Sequence, residues 1–203
     1  MQSESVVDPL FVARRLPLSG PLVLTPRRRL DDRGWLTKLF HADAFAQMGL
    51  PGGRQEVFAT CSGARVVRGL HFQAPPATQA KLVTCLTGAV LDVVLDIRAG
   101  SVTYGRHCTV DLDGEHGELL YLPAGFAHGF AVVADPALML YAVTHVWEPS
   151  CDAGVRWDSA GVDWPYADAV ISERDAALPS LDRLVSPFAV DQERPAGNAR
   201  RGT

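Results

Sequence analysis

Short apolar runs of strand length, each closed by glycine, proline or another turn residue, dominate the chain. PLVLTP, WLTKLF, EVFATC, AKLVTCL, AVLDVVLDI, HCTVDL, ELLYLP, GFAVV and ALMLYAVTHV follow one another in this way. So few helical stretches separate them that a parallel sheet covered by crossover helices is excluded, and a sandwich or barrel is expected. Two helices are legible. One spans residues 42–48, with Asp43 in its first turn and Gly49 as its stop. A shorter one follows Ser172 in SERDAAL, where the serine is placed to cap it.

The expected fold is therefore all-β, a sandwich or barrel with a few short peripheral helices; a cupin-type jelly-roll barrel is one such form, and the pocket between its sheets is the default seat of any chemistry. At 203 residues the chain suits one such domain with tails. Residues 1–19 read as a poorly anchored lead and 20–185 as the domain. Residues 186–203, polar and rich in proline and glycine, read as a mobile tail. A net charge of −4 argues against a nucleic-acid binder that relies on a basic field. No apolar run approaches the ~20 residues of a membrane-spanning helix. The N-terminus lacks a basic start followed by an apolar stretch, so no secretory signal is expected. Cys61, Cys85, Cys108 and Cys151 are spaced for neither a zinc ribbon nor a disulfide framework, and read as reduced packing residues of a cytoplasmic protein.

Among the side chains able to do chemistry, His71 sits in VVRGLHFQ and His128 in YLPAGFAHGF. Imidazole combines base and acid near neutral pH. His107, His116 and His145 have no supporting context and read as surface or structural residues. Lys38 and Lys81 are the only lysines. A cupin metal site usually opens with two histidines one residue apart, whereas His71 is followed by Phe72 and Gln73, so no metal is expected. Neither a Gly-x-Ser-x-Gly elbow nor a glycine-rich phosphate or dinucleotide loop is present.

Taken in order, DDRGW, VVRGLHFQ, QAKLVTCLTGAVLDVVLDIR, SVTYGR, LYLPAGFAHGF, LMLYAVTHVWEP, GVRWDSAGVDWP and ISERDAALPSL resemble the dTDP-4-dehydrorhamnose 3,5-epimerase family. The likeness runs over residues 30–181, roughly three-quarters of the chain. It implies a cupin-fold isomerase that inverts C3, C5 or both of a nucleotide-linked 4-keto-6-deoxyhexose in deoxysugar biosynthesis. The carbonyl acidifies the neighbouring C–H bonds, so the reaction needs a base, an acid on the opposite face and a cation at the enolate oxygen, and no cofactor. By this resemblance His71 is the base, Asp175 its partner, Tyr141 the acid and Lys81 the charge at the oxygen. Arg33 and Arg68 match positions that contact the diphosphate. Asp92 lines the same pocket, placed to hold Lys81, and His128, Asp152 and Arg174 fall at further ligand positions. Trp147 matches an aromatic that stacks on the nucleobase. The segment carrying Arg33 crosses to a partner subunit in the family, which implies a homodimer.

The likeness is incomplete where relatives touch the nucleotide. Glu56-Val57-Phe58 replaces Gln-Asp-Asn, Lys38 replaces a glutamate, and Val146 replaces an aromatic. These departures leave dTDP, CDP or another carrier open. They also leave two other classes to be distinguished: a non-catalytic nucleotide-sugar binding cupin, and a metal-dependent cupin oxygenase or isomerase.

Overall fold

A computed structural model describes residues 6–190, with the side chains of 8–190. In chain order the strands are β1 (Val6–Val7), β2 (Phe11–Arg15), β3 (Leu22–Pro26), β4 (Arg29–Asp31), β5 (Gly34–Leu36), β6 (Glu56–Ser62) and β7 (Val67–Gln73). They continue as β8 (Lys81–Asp96), β9 (His107–Asp113), β10 (Leu119–Leu122), β11 (Phe126–Val143) and β12 (Asp152–Gly154). Helix α1 (Ala42–Gln47) lies between β5 and β6, and α2 (Glu173–Ala176) follows β12. Both expected helices are present, and the Ser172 side chain accepts the Asp175 N–H as a cap.

Two strands hold the barrel together because they are long enough to serve both layers. The first half of β8 pairs with β10 and with the second half of β11, while its second half pairs with β9 and with the first half of β11. One layer is thus β2-β3-β10-β8-β11-β6, and the other is β9-β8-β11-β7-β12, all of them antiparallel. The sequence runs AKLVTCL and AVLDVVLDI are one strand, not two, as are GFAVV and ALMLYAVTHV. The break at Gly88 is a bend at which the register with β11 shifts, Ala89 facing Ala134 and Thr87 facing Leu138. Gly88 has φ +76°, and a Cβ there would lie 2.4 Å from the Ala134 carbonyl and 2.5 Å from that of Pro136, so only glycine fits.

The bend also switches the inward phase of the strand. Before it Val83 and Cys85 face the interior, and after it Val90 and Val94 do, joining Phe126, Phe130, Met139 and Leu120 between the layers. The opposite faces are covered as well. Leu82, Leu119 and Phe11 pack under Phe45 of α1, and Leu70, Val93 and Leu95 pack under Val155 and Ala160. Burying a Leu- or Phe-sized side chain contributes roughly 1.5–3 kcal/mol, so these three clusters are the main favourable term in stability.

The edges of the domain correct the composition-based expectation. The lead expected through residue 19 is part of the sheet over Phe11–Arg15, because Phe11 and Ala13 bury against α1. Residues 186–190 are anchored too. Ala99 N–H donates to Phe188 O at 2.9 Å, Ser186 Oγ donates to Ile97 O, and the Phe188 ring meets the edge of Phe72. Residues 191–203 of the expected tail lie outside the described residues. WLTKLF is a strand only over its first two residues, which end β5. Strands β4 and β5 pair with each other alone, as an exposed hairpin.

Candidate active site

Alternation along three neighbouring strands directs the chemical side chains to one face. On β7, Leu70 and Phe72 point to the outer cluster, leaving His71 and Gln73 on the inner side. His71 is the register partner of His128 on β11. Lys81 opens β8 two residues ahead of the inward-facing Val83, and Tyr141 follows Met139 along β11. These residues line a pocket of about 470 Å³ between the layers, together with Arg68, Asp152, Arg174 and Trp147.

His71 is held from outside the barrel. Its Nε2 lies 2.7 Å from Asp175 Oδ1, and Oδ2 of the same carboxylate accepts the Gly69 N–H at 3.0 Å. Burial opposes the charge on Asp175, but the hydrogen bonds from His71 and Gly69 outweigh it and hold the carboxyl below its usual range. Gly69 is required where it stands. Its φ is +118°, and a Cβ would sit 2.6 Å from the Cα of Gly129. With Asp175 ionised, Nε2 carries the proton and Nδ1 keeps its lone pair, so the ring is prepared to accept a proton at Nδ1.

Lys81 Nζ donates to the His71 carbonyl at 3.2 Å. Burial pulls its pKa down to about 8 against the opposing charges of Asp152 and Asp92. Tyr141 is 7% exposed. Its phenol is pushed well above the usual range by burial and by the charge of Asp92, so it holds its proton at neutral pH. Arg68 Nε donates to Ser62 Oγ at 3.0 Å. Asp152 Oδ2 accepts from Arg174 Nη2 at 2.7 Å. Trp147 stands half exposed at the rim, where its backbone N–H donates to Glu56 Oε2 at 2.7 Å. Gln73 fixes the same loop, donating to Val146 O and accepting from Glu148 N–H.

One expected placement is corrected. Asp92 is fully buried behind the pocket wall, and both its oxygens lie 2.9 Å from His128 Nε2, so it holds His128 and acts on Lys81 only through space. Arg33 is not in the pocket of its own chain. It sits in the turn of the β4–β5 hairpin, paired with Asp31 at 2.6 Å. Conversely, Glu56, Phe58, Thr60 and Gln79 line the pocket without having been singled out as site residues. The first three alternate on β6, and the period-2 pattern of EVFATC was the available signal. The cysteines act as packing groups where they are buried: burial pushes the Cys85 and Cys108 thiols up to about 11, away from thiolate chemistry. No cluster of three or more His, Cys, Asp or Glu side chains suited to a metal ion occurs among the described residues. No helix among them is long and apolar enough to cross a membrane.

A carboxylate-held imidazole, a protonated phenol and a partly buried ammonium share the pocket of a cupin-type jelly roll, a set suited to proton transfer. The family model described as dTDP-4-dehydrorhamnose 3,5-epimerase matches residues 15–183, and the chain belongs to that family. A dTDP-4-dehydrorhamnose 3,5-epimerase of Sinorhizobium fredii is 38% identical over 180 residues, covering 85% of this chain and 91% of the relative. The crystal structure of a dTDP-6-deoxy-D-glucose-3,5-epimerase from Legionella pneumophila, in complex with dTDP-4-keto-L-rhamnose, superposes with a TM-score of 0.84 at 30% identity, covering 90% of this chain and 99% of that one. A 3'-monoepimerase from Streptomyces bikiniensis in complex with dTDP-quinovose superposes with a TM-score of 0.79 at 32% identity, covering 82% and 86%.

Proposed function

We propose that the chain epimerises C3, C5 or both of a nucleotide-diphosphate-linked 4-keto-6-deoxyhexose of the dTDP-4-keto-6-deoxyglucose type, in deoxysugar biosynthesis. His71 Nδ1 takes the proton from the carbon beside the carbonyl. The C–H electron pair becomes the ring C=C bond, and the carbonyl pair moves to the C4 oxygen. The Lys81 ammonium lies near that enolate, and with a pKa of about 8 it is roughly nine-tenths protonated at pH 7. Tyr141 gives its O–H proton to the opposite face of the carbanion; His71 then releases its proton to water, and the phenolate left behind regains one from it. No cofactor enters the balance. The observation that carries this reading is the convergence of His71–Asp175, Lys81 and Tyr141 on one pocket from three strands and α2.

Substrate holding falls to Arg68, His128, Asp152 and Arg174, with Asp92 behind His128 and Trp147 as the base-stacking aromatic. A guanidinium offers diphosphate a planar, paired donor. Arg33 serves the pocket of a second copy in a cytoplasmic homodimer. The support is the β4–β5 hairpin, which pairs with nothing else among the described residues and exposes Leu30, Trp35 and Leu36 at 80%, 55% and 58%. Glu56 and Phe58 give the wall near Trp147 a character different from the Gln-Asp-Asn pattern, which is why a CDP-linked sugar is tested beside the dTDP-linked one.

The test is deuterium incorporation from heavy water into dTDP- and CDP-4-keto-6-deoxyglucose, followed by NMR at C3 and C5. Exchange at either carbon is expected, and His71→Ala is expected to abolish it. Tight binding with no exchange would make the chain a nucleotide-sugar binding protein instead.

A further inference from the structure

The proton-transfer reading leaves Phe58 without a role, although its ring lies against the reading's own acid. Phe58 and Tyr141 are direct register partners on the antiparallel strands β6 and β11. Their rings stack with centroids 4.8 Å apart and planes within 6° of parallel. On another side the His128 ring meets the phenol near edge-on, at 6.1 Å and 70°. His128 is itself fixed by two contacts to the fully buried Asp92. Two rings therefore flank the phenol, one tied to Asp92 and one that the pocket leaves 40% exposed.

We infer that Phe58 is a positioning residue: its stacked ring fixes the attitude of the Tyr141 hydroxyl, and so sets how often a carbanion is protonated with inversion rather than returned with retention. This rests on the epimerase reading above. Removal of the C–H proton by His71 does not involve Tyr141. Return of a solvent-derived proton by His71 gives exchange with retention, whereas a proton from Tyr141 gives inversion. The two outcomes share one intermediate, so their ratio reports the placement of the acid and cancels changes in binding or in base strength. Phe58 stands where the family pattern places asparagine, which has no ring to stack.

The experiment compares wild type with Phe58→Met and Phe58→Leu, which keep an apolar side chain but lose the ring, and with Phe58→Tyr, which keeps it. In heavy water, NMR separates deuterated sugar of retained configuration from deuterated sugar of inverted configuration, and circular dichroism confirms folding. An aromatic pair of this kind is worth roughly a threefold to tenfold change in an equilibrium. The inversion-to-exchange ratio is expected to fall by about that factor in Met and Leu and to return toward wild type in Tyr. Should one ringless variant fail to fold, the other decides. An unchanged ratio in the ringless variants, or an equal fall in Phe58→Tyr, overturns the stacking role while leaving the epimerase reading intact. No exchange by wild type overturns both.

Discussion

Replacing Asp175 by asparagine changes almost nothing in shape and reverses the proton logic of His71. In the native arrangement both carboxylate oxygens accept, one from His71 Nε2 at 2.7 Å and the other from Gly69 N–H at 3.0 Å. An asparagine has one acceptor and one donor end. With its oxygen kept on Gly69, its amide donates toward Nε2, which forces the ring proton onto Nδ1 and blocks the atom that must accept. With the amide flipped, its NH2 confronts the Gly69 N–H. Either way the imidazolium formed on proton abstraction loses its counter-charge. Two unit charges about 4 Å apart interact by roughly 4 kcal/mol at an effective dielectric near 20. The His71 side chain is 26% exposed and the amide keeps a dipole, so about 2–4 kcal/mol of that is lost. The exchange rate in heavy water should then fall about 30- to 1,000-fold. A fall of less than about fivefold, in a variant shown to be folded, would mean that Asp175 does not govern the base.

The same contact makes a prediction about stability. The folded pKa of Asp175 is depressed, so its contribution is complete above the unfolded carboxyl value near 4 and is lost as the pH falls through the folded value. Urea midpoints of wild type and Asp175→Asn should differ at pH 7 and converge on acidification. A constant gap down to the acid limit would contradict the assigned direction.

Three further outcomes follow from the geometry. Because burial lowers Lys81 to about 8, exchange should decline as the pH rises through that value, and Lys81→Met should be inactive at every pH; a rate that stays level to pH 9.5 would remove the ammonium from the reaction. His128→Phe leaves Asp92 buried without its partner and should cost about 3–5 kcal/mol in urea unfolding at pH 7, less in acid where Asp92 protonates, and a cost under 1 kcal/mol would show that the pair is dispensable. Trp35→Asp with Leu36→Asp should yield a monomer by light scattering and raise KM, as should Arg33→Ala without dissociation; a dimer that persists in the double variant would place its interface elsewhere.

The fold was legible from the spacing of its strands, and its misreadings share a physical origin. Gly88 and the residues around Pro136 carry turn chemistry, yet the ladder resumes beyond them across a shift in register, from Ala134 facing Ala89 to Leu138 facing Thr87, because a jelly roll must bend its longest strands from one layer to the other. Phe188 lies in a stretch that reads as tail, but its ring against Phe72 and the backbone hydrogen bond from Ala99 to its carbonyl anchor it. In the site, His71 and Asp175 stand 104 residues apart, and no local pattern links them. Only the likeness of the ordered motifs to a family brings them together. Phe58 stands out in the sequence as a departure from that family, and nothing local gives it a partner. Its stack on Tyr141 depends on the register between β6 and β11, which strand composition does not specify.

Two histidine–aspartate pairs sit side by side here, and their difference explains why one imidazole suits a base and the other a support. His71 and His128 are register partners on adjacent strands. Asp92 reaches His128 from within the barrel, on β8, and the pair is almost completely buried, with side-chain exposures of 4% and 0%. Burial there pushes the Asp92 carboxyl above its usual range, against the opposing charge and hydrogen bond of His128. Asp175 reaches His71 from α2, outside the barrel, and has a backbone N–H to hold its charge. The ring it holds keeps a quarter of its surface open to the pocket. The same two residue types thus leave one imidazole open to the pocket, as the proposed base requires, and beside it one whose aspartate fixes the ring against which Tyr141 is set.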